Sequence, residues 1–340
     1  MQQKFMQMCI ELAKKGEGMT SPNPLVGCVV TDEFDEIVST GYHAKCGENH
    51  AERDALLKIN KGEGYTLYVN LEPCSHFGKT PPCTDIILEK GIKKVVIGMK
   101  DPNPQVDGIS ILKNAGIDVT LGVMEDECKI LNEVFIKNIT QHKTFVAIKT
   151  ATTLDGKIAT STGSSKWITS EDARDEVKKI RNRYDAILTS STTIIADDPT
   201  MAHRKKIVLD RELKTNLNAK IYKEGEIYIF NGIKDGDNGR LHYIKTPTSE
   251  NKISLEFVFE KLYELGIMSV LIESGGKLNG RALKYADKVY QFIAPKILGD
   301  NEARSCFDFR SLKNISDCSQ FKFHSVEKFN EDILLIFYPM

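Results

Sequence analysis

The chain has 340 residues, 41% hydrophobic and 27% charged, long enough for two domains that each bury a core of their own. Its formal net charge is −1 at pH 7, so no basic field awaits a nucleic-acid backbone, and no run reaches the roughly eighteen apolar residues of a membrane span. We therefore expect a cytoplasmic globular protein with neither nucleic acid nor membrane as partner. The opening residues Met1 to Met6 are too polar for a signal peptide. Without one, the 8 cysteines are expected as reduced thiols.

Phe5, Cys9, Leu12 and Ala13 recur at helical spacing, so the chain opens on a helix. Thr20 to Gly27 is a turn-rich loop that leads into a strand at 28–30, and Ile37-Val38-Ser39 pairs back on it as a hairpin. A helix over 51–59, a strand over 66–71, a helix over 84–90, a strand over 93–98, a helical piece near 108–115 and a strand over 117–121 follow. A hairpin followed by this alternation predicts a mixed sheet with helices on both faces.

The chemistry of this half gathers between His50 and Cys83. One imidazole (His50) and two thiols (Cys74, Cys83) form a three-ligand set that leaves the fourth tetrahedral position of a zinc ion open to water. Glu52 lies two residues from His50 and is free to act as the proton shuttle. Pro81-Pro82 delays the next helix until after Cys83, which places that thiol at a helix N-terminus, where a lowered pKa is expected. A closed structural zinc site with His76 as fourth ligand is the bland alternative. Asn23, His43, Asp101 and Asn103 sit in loops beside these elements, where Asn-Pro and Asp-Pro are ordinary turn formers.

A helix over Glu125–Gln141 carries the chain to a restart of β/α alternation at Phe145, so domains of 1–143 and 144–340 are expected. In the second, strands are predicted at 145–149, 186–190, 206–210, 227–230, 268–273, 288–293 and 332–338, the last two antiparallel. Helices are predicted near 170–183, 254–265 and 278–286. Three segments at strand ends carry candidate chemistry: Lys149 to Ala159, Thr192 to Pro199, and Glu273-Ser274-Gly275-Gly276-Lys277-Leu278-Asn279-Gly280. Glycines between strand and helix let backbone N–H groups close on a phosphate, although a tight packing turn has the same glycines.

His50-Ala51-Glu52, the stretched Pro73-to-Cys83 segment and these three segments together resemble the bifunctional deaminase/reductase family of riboflavin biosynthesis. The resemblance runs over nearly the whole chain. It implies an α/β protein, a cytidine-deaminase-like α/β/α sandwich followed by a dihydrofolate-reductase-like domain, with zinc and NADPH as cofactors. The implied activities are hydrolytic deamination of 2,5-diamino-6-(5-phosphoribosylamino)pyrimidin-4-one with Glu52 as catalytic residue, then reduction of the product's ribosyl group to ribityl. It implies substrate contacts at Asn23, His43, His76, Lys79, Asp101 and Asn103 in the first half, and at Ser165, Arg181, Met201, Arg204 and Glu273 in the second. Cofactor contacts are implied at Ala151, Trp167, Thr193, Asp197 and Gly275 through Arg281 (Gly275, Gly276, Lys277, Leu278, Asn279, Gly280, Arg281). Arg181 and Arg204 suit bidentate phosphate binding, and Lys149 and Glu273 are further polar groups for the reduction. Small-molecule phosphoribosyl-pyrimidines are the expected partners, and the family suggests self-association into a homo-oligomer. The competing classes are a single-function zinc nucleobase or nucleoside deaminase with an oligomerisation domain, and a zinc-stabilised binding protein without activity.

Overall fold

A computed structural model describes residues 1–78, 81–308 and 310–340, and the chain divides into two compact units, Met1–His142 and Lys143–Met340. In the first, five strands form one mixed sheet in the order Ile37–Tyr42, Gly27–Thr31, Thr66–Leu71, Lys94–Met99, Asp118–Leu121. The hairpin pair is antiparallel and the last three strands run parallel, as the predicted alternation requires. The parallel strand Lys94–Met99 is apolar and buried along Val95, Val96 and Ile97, the pattern of a strand covered on both faces. Helices Gln2–Lys14 and Glu125–Leu131 pack together on one side of the sheet, and Ala51–Leu56, Cys83–Glu89 and Gly108–Asn114 form a row on the other. Gly41 lets the helix after His50 lie directly on the hairpin, because a Cβ there would collide with the backbone of Ala51 and Ala55.

The helix expected over Glu125–Gln141 is two helices, Glu125–Leu131 and Glu133–Gln141. Asn132 interrupts them at φ −106°, ψ 21°, with its side chain committed elsewhere. Cys83, not Thr84, is the first residue of its helix.

The second unit is built on a 10-stranded sheet. Its centre runs Lys205–Leu209, Ala186–Ser190, Ser269–Ile272, Phe145–Thr153, Lys288–Ala294, all parallel. Asp332–Pro339 pairs antiparallel with Lys288–Ala294 as expected. Serines start three helices by accepting a backbone N–H: Ser170 from Ala173, Ser190 from Thr193 and Ser254 from Phe257, each satisfying a donor that the first turn leaves over. The middle one, Ser191–Asp197, was expected as a loop, since its Thr192-Thr193-Ile194-Ile195 run is β-branched and helix-poor. Strand Phe321–Phe329, which among the described residues pairs only with Asp332–Pro339, was not expected either. Its face is largely exposed, so it lacks the apolar signal of a covered strand.

Candidate active sites

In the first unit three elements meet. His50 precedes helix Ala51–Leu56, Cys74 follows strand Thr66–Leu71, and Cys83 opens helix Cys83–Glu89. His50 Nδ1 lies 3.4 Å from each sulfur, and the three ligand atoms all fall within 4.8 Å of one another. Ligands of one tetrahedral zinc at ordinary bond lengths stand about 3.6 Å apart from nitrogen to sulfur, so the cluster fits the ion. Among the described residues no fourth protein ligand joins it; His76 is exposed.

The two thiols act on each other. The hydrogen bond from Cys83 holds Cys74 far below an ordinary thiol, helped by the His50 imidazole and the Cys83 backbone N–H. Cys83 itself is pushed up by Cys74 and by burial. Cys83 opens its helix as expected, and its backbone N–H donates to the Cys74 sulfur at 3.3 Å. Glu52 is 3% exposed, and burial first, then the Cys74 charge, raise its carboxyl to about 7.

Asn23 and His43 converge on the same place. The His43 ring stands edge-on to His50, centroids 5.4 Å apart, with Nδ1 3.0 Å from the Asn49 carbonyl and Nε2 3.1 Å from Asn23 Nδ2. Burial lowers the His43 pKa, so one proton resides on the ring. A carbonyl only accepts, so Nδ1–H donates to it, Nε2 accepts from the Asn23 amide, and Asn23 Oδ1 is turned away from the ring. Asp101 is half-buried and its carboxyl rises to about 6, chiefly through burial, with the Glu72 and Cys74 charges adding to it and His76 opposing. Glu72, buried and not singled out in the sequence, accepts from the N–H groups of Asp101 and Ile109 at 3.1 and 2.9 Å. Asn103 spends its carbonyl on its own turn, accepting from Gln105 N–H. Lys79 lies outside the described residues.

In the second unit, the carboxyl ends of the parallel strands border a cleft of about 1480 Å³, above the roughly 1,000 Å³ of a pocket for one small ligand and so with room for a dinucleotide beside a substrate. Ala151, Trp167, Thr193, Asp197, Gly275, Gly276, Lys277, Leu278 and Arg281 line it, as do Ser165, Arg181, Met201 and Glu273. Trp167, the sole tryptophan, is 65% exposed with the Arg174 guanidinium 4.4 Å above its ring; it is not core. Ser190, Thr193 and Ser274 join hydroxyls at 2.9–3.2 Å, a cluster formed between two strand ends that no linear motif announces.

Three of the expected contacts, Arg204, Asn279 and Gly280, are not among the residues that line the cleft. Arg204 is exposed and does not line the cleft; its carbonyl continues the sheet by accepting from Glu226 N–H. Asn279 is fully buried and its amide donates to the carbonyls of Ser274 and Cys306, so it braces the loop from behind, and Gly280 is buried within the helix. Arg181 lines the cleft, but its fork is engaged by Glu273, Nε to Oε1 at 2.5 Å and Nη2 to Oε2 at 2.9 Å. Lys149 Nζ stands 3.7 Å from the same carboxylate. Burial alone would raise the Glu273 pKa, but Lys149 and Arg181 outweigh it and hold the group ionised, while burial lowers the Lys149 ammonium.

A three-ligand zinc cluster with a buried carboxyl beside it, set on this sandwich, defines a zinc-dependent deaminase, joined here to a parallel-sheet unit whose cleft suits a nucleotide-dependent reductase. Residues 1–99 match the cytidine and deoxycytidylate deaminase zinc-binding region, and residues 144–335 match the RibD C-terminal domain. The riboflavin biosynthesis protein RibD of Aquifex aeolicus (strain VF5) is 41% identical over 350 residues, spanning 98% of this chain and 97% of that protein. RibD of Escherichia coli (strain K12) is 35% identical over 97% of each chain. The crystal structure of the Thermotoga maritima diaminohydroxyphosphoribosylaminopyrimidine deaminase/5-amino-6-(5-phosphoribosylamino)uracil reductase superposes with a TM-score of 0.91 at 38% identity, over 100% of this chain and 99% of that one. The chain belongs to the RibD family, the bifunctional deaminases and reductases of riboflavin biosynthesis. It is thus a hydrolase and an oxidoreductase in one chain, with zinc and NADPH as cofactors and pyrimidines as substrates. Among the described residues no helix is long and apolar enough to cross a membrane.

Proposed function

We propose that the first unit uses His50, Cys74 and Cys83 to hold zinc and Glu52 to move protons in converting 2,5-diamino-6-(5-phosphoribosylamino)pyrimidin-4-one and water to the uracil and ammonia. Zinc bound there acidifies water from a pKa of about 15.7 to about 7. Glu52 takes a proton from the attacking water and delivers it to the departing amine, both steps within reach of one carboxyl poised near neutrality. Asn23 Oδ1, turned away from His43, offers an acceptor to the pyrimidine edge, with Asp101, His76 and Lys79 as further contacts. The observation that carries this assignment is the buried Glu52 beside a cluster with no fourth protein ligand among the described residues.

The second unit reduces the ribosyl group of 5-amino-6-(5-phosphoribosylamino)uracil to ribityl, with NADPH supplying the hydride. Ala151, Trp167, Thr193, Asp197 and the Gly275–Leu278 stretch with Arg281 border the cofactor's side of the cleft, and Ser165, Arg181, Met201 and Glu273 the substrate's. Glu273 fixes Arg181 and Lys149 so that their positive charge meets the phosphoribosyl group. The net charge of −1 favours an enzyme that works on small molecules without nucleic acid, and we expect a cytoplasmic location and self-association. Incubation with the pyrimidine substrate, with and without NADPH, should release ammonia in both cases and form the ribityl product only with NADPH. Ammonia release without any NADPH oxidation would reject the second assignment alone.

Glu273→Gln is expected to destabilise the second unit by about 3–5 kcal/mol, since removing one partner strands buried charge on Arg181 and Lys149, and to suppress NADPH oxidation while leaving ammonia release intact. Urea unfolding and the two assays check it. An unchanged midpoint with unchanged reduction would mean that the carboxylate neither braces nor orients the pair.

A further inference from the structure

We propose that Asn132 is a positioning residue for deamination, and that through it the helical segment Glu125–Gln141 completes the substrate loop of the zinc site. Glu125–Gln141 lies beyond residues 1–99 that match the zinc-binding region and contributes no ligand to the metal cluster. Asn132 is nevertheless 2% exposed and reaches back to the loop that carries Asn23. Its Oδ1 accepts from Leu25 N–H at 2.8 Å and its Nδ2 donates to the Leu25 carbonyl at 3.0 Å, so the amide grips both ends of one residue as a neighbouring strand would. Asn70, fully buried, takes the rest. It donates to the same Leu25 carbonyl at 2.9 Å and accepts from Gly27 N–H at 2.7 Å. Both lone pairs of the Leu25 carbonyl are thereby filled. The next carbonyl, of Val26, accepts from the backbone N–H of His43 at 2.9 Å, and the His43 ring receives the Asn23 amide. The loop is fixed at 25, 26 and 27, and Asn23 is presented from that anchor.

The break in the helix follows from the same contact. Asparagine competes for backbone groups and is a poor helix-interior residue; at position 132 the chain leaves helical geometry and the amide meets Leu25.

The inference rests on the assignment of Asn23 to the substrate, and a double-mutant cycle in the full-length zinc enzyme separates the two. Asn132→Asp keeps the shape and the acceptor for Leu25 N–H but sets an oxygen against the Leu25 carbonyl. The expected result is a rise in KM with kcat little changed, lowering kcat/KM for deamination about 10- to 100-fold, with zinc content and NADPH oxidation unaltered. In an Asn23→Ala background the same substitution should change kcat/KM by no more than about twofold, because the two side chains act as one unit. If the Asp variant sheds zinc, Asn132→Ala, which introduces no repulsion, is put through the same cycle. Full additivity of the two effects, an unchanged KM, or zinc loss in both variants would make Asn132 a general folding element and overturn the proposal. An Asn23→Ala single variant with normal KM would instead reject the assignment of Asn23.

Discussion

Replacing Glu52 with Gln is expected to cut ammonia release about a thousandfold or more, within the range that a positioned acid–base group contributes, while zinc stays bound and the second unit still oxidises NADPH on the deaminated intermediate. The substitution preserves size and removes the charge and the ability to exchange a proton. Glu52 is buried and begins its helix turn against the metal cluster, so an exposed carboxylate or bulk buffer cannot readily stand in. Its elevation to about 7, caused first by burial and then by the Cys74 charge, lets a single group serve as base and then as acid. Near-normal ammonia release from a zinc-loaded Glu52→Gln protein would remove Glu52 from the chemistry, whereas loss of zinc would show that it supports the ligands rather than the reaction.

What the sequence made legible was local. His50, Glu52, Cys74 and Cys83 are separated by short elements whose own patterns are clear, so ligand type and spacing sufficed to place them at one point. Strands such as Ala186–Ser190 and Thr66–Leu71 read correctly because both faces are covered and the runs are mostly apolar. What stayed hidden shares a cause, which is that a side chain's partner lies far away in the chain. Arg181 lines the cleft, and its pairing with Glu273, 92 positions on, has no local signal. Asn279 looked like part of a phosphate loop but turns inward to Cys306. Asn132 sat unnoticed within an apparently unbroken helix because its reason for breaking it is Leu25, 107 positions earlier. Asp101 and Asn103 sit in one loop and are engaged differently. The first faces the Cys74 and His76 charges, and the second closes its own turn.

Stripping the zinc should abolish deamination completely, leave NADPH oxidation intact, and leave the first unit folded. A site whose ion holds the fold together unfolds when the metal goes, but this unit packs Phe5, Leu56, Leu67, Ile87 and Ile97 into a core of its own. The three ligand side chains, moreover, keep polar partners in one another, with His50 Nδ1 against both sulfurs and the Cys83 N–H donating to Cys74 Sγ. Chelation followed by circular dichroism and an ammonia assay checks all three outcomes, with activity returning when about one zinc per chain is restored. The pH dependence has a definite sign. Uptake of zinc must expel the proton from Cys83, which Cys74 and burial hold well above an ordinary thiol, and any proton on His50, whose pKa the Cys74 hydrogen bond raises. Protons therefore compete with the metal, and its affinity should weaken steadily as the pH falls below neutrality. Affinity independent of pH would mean that the thiols lose their protons before the ion arrives, and unfolding on chelation would turn the site from a catalytic centre into a structural one.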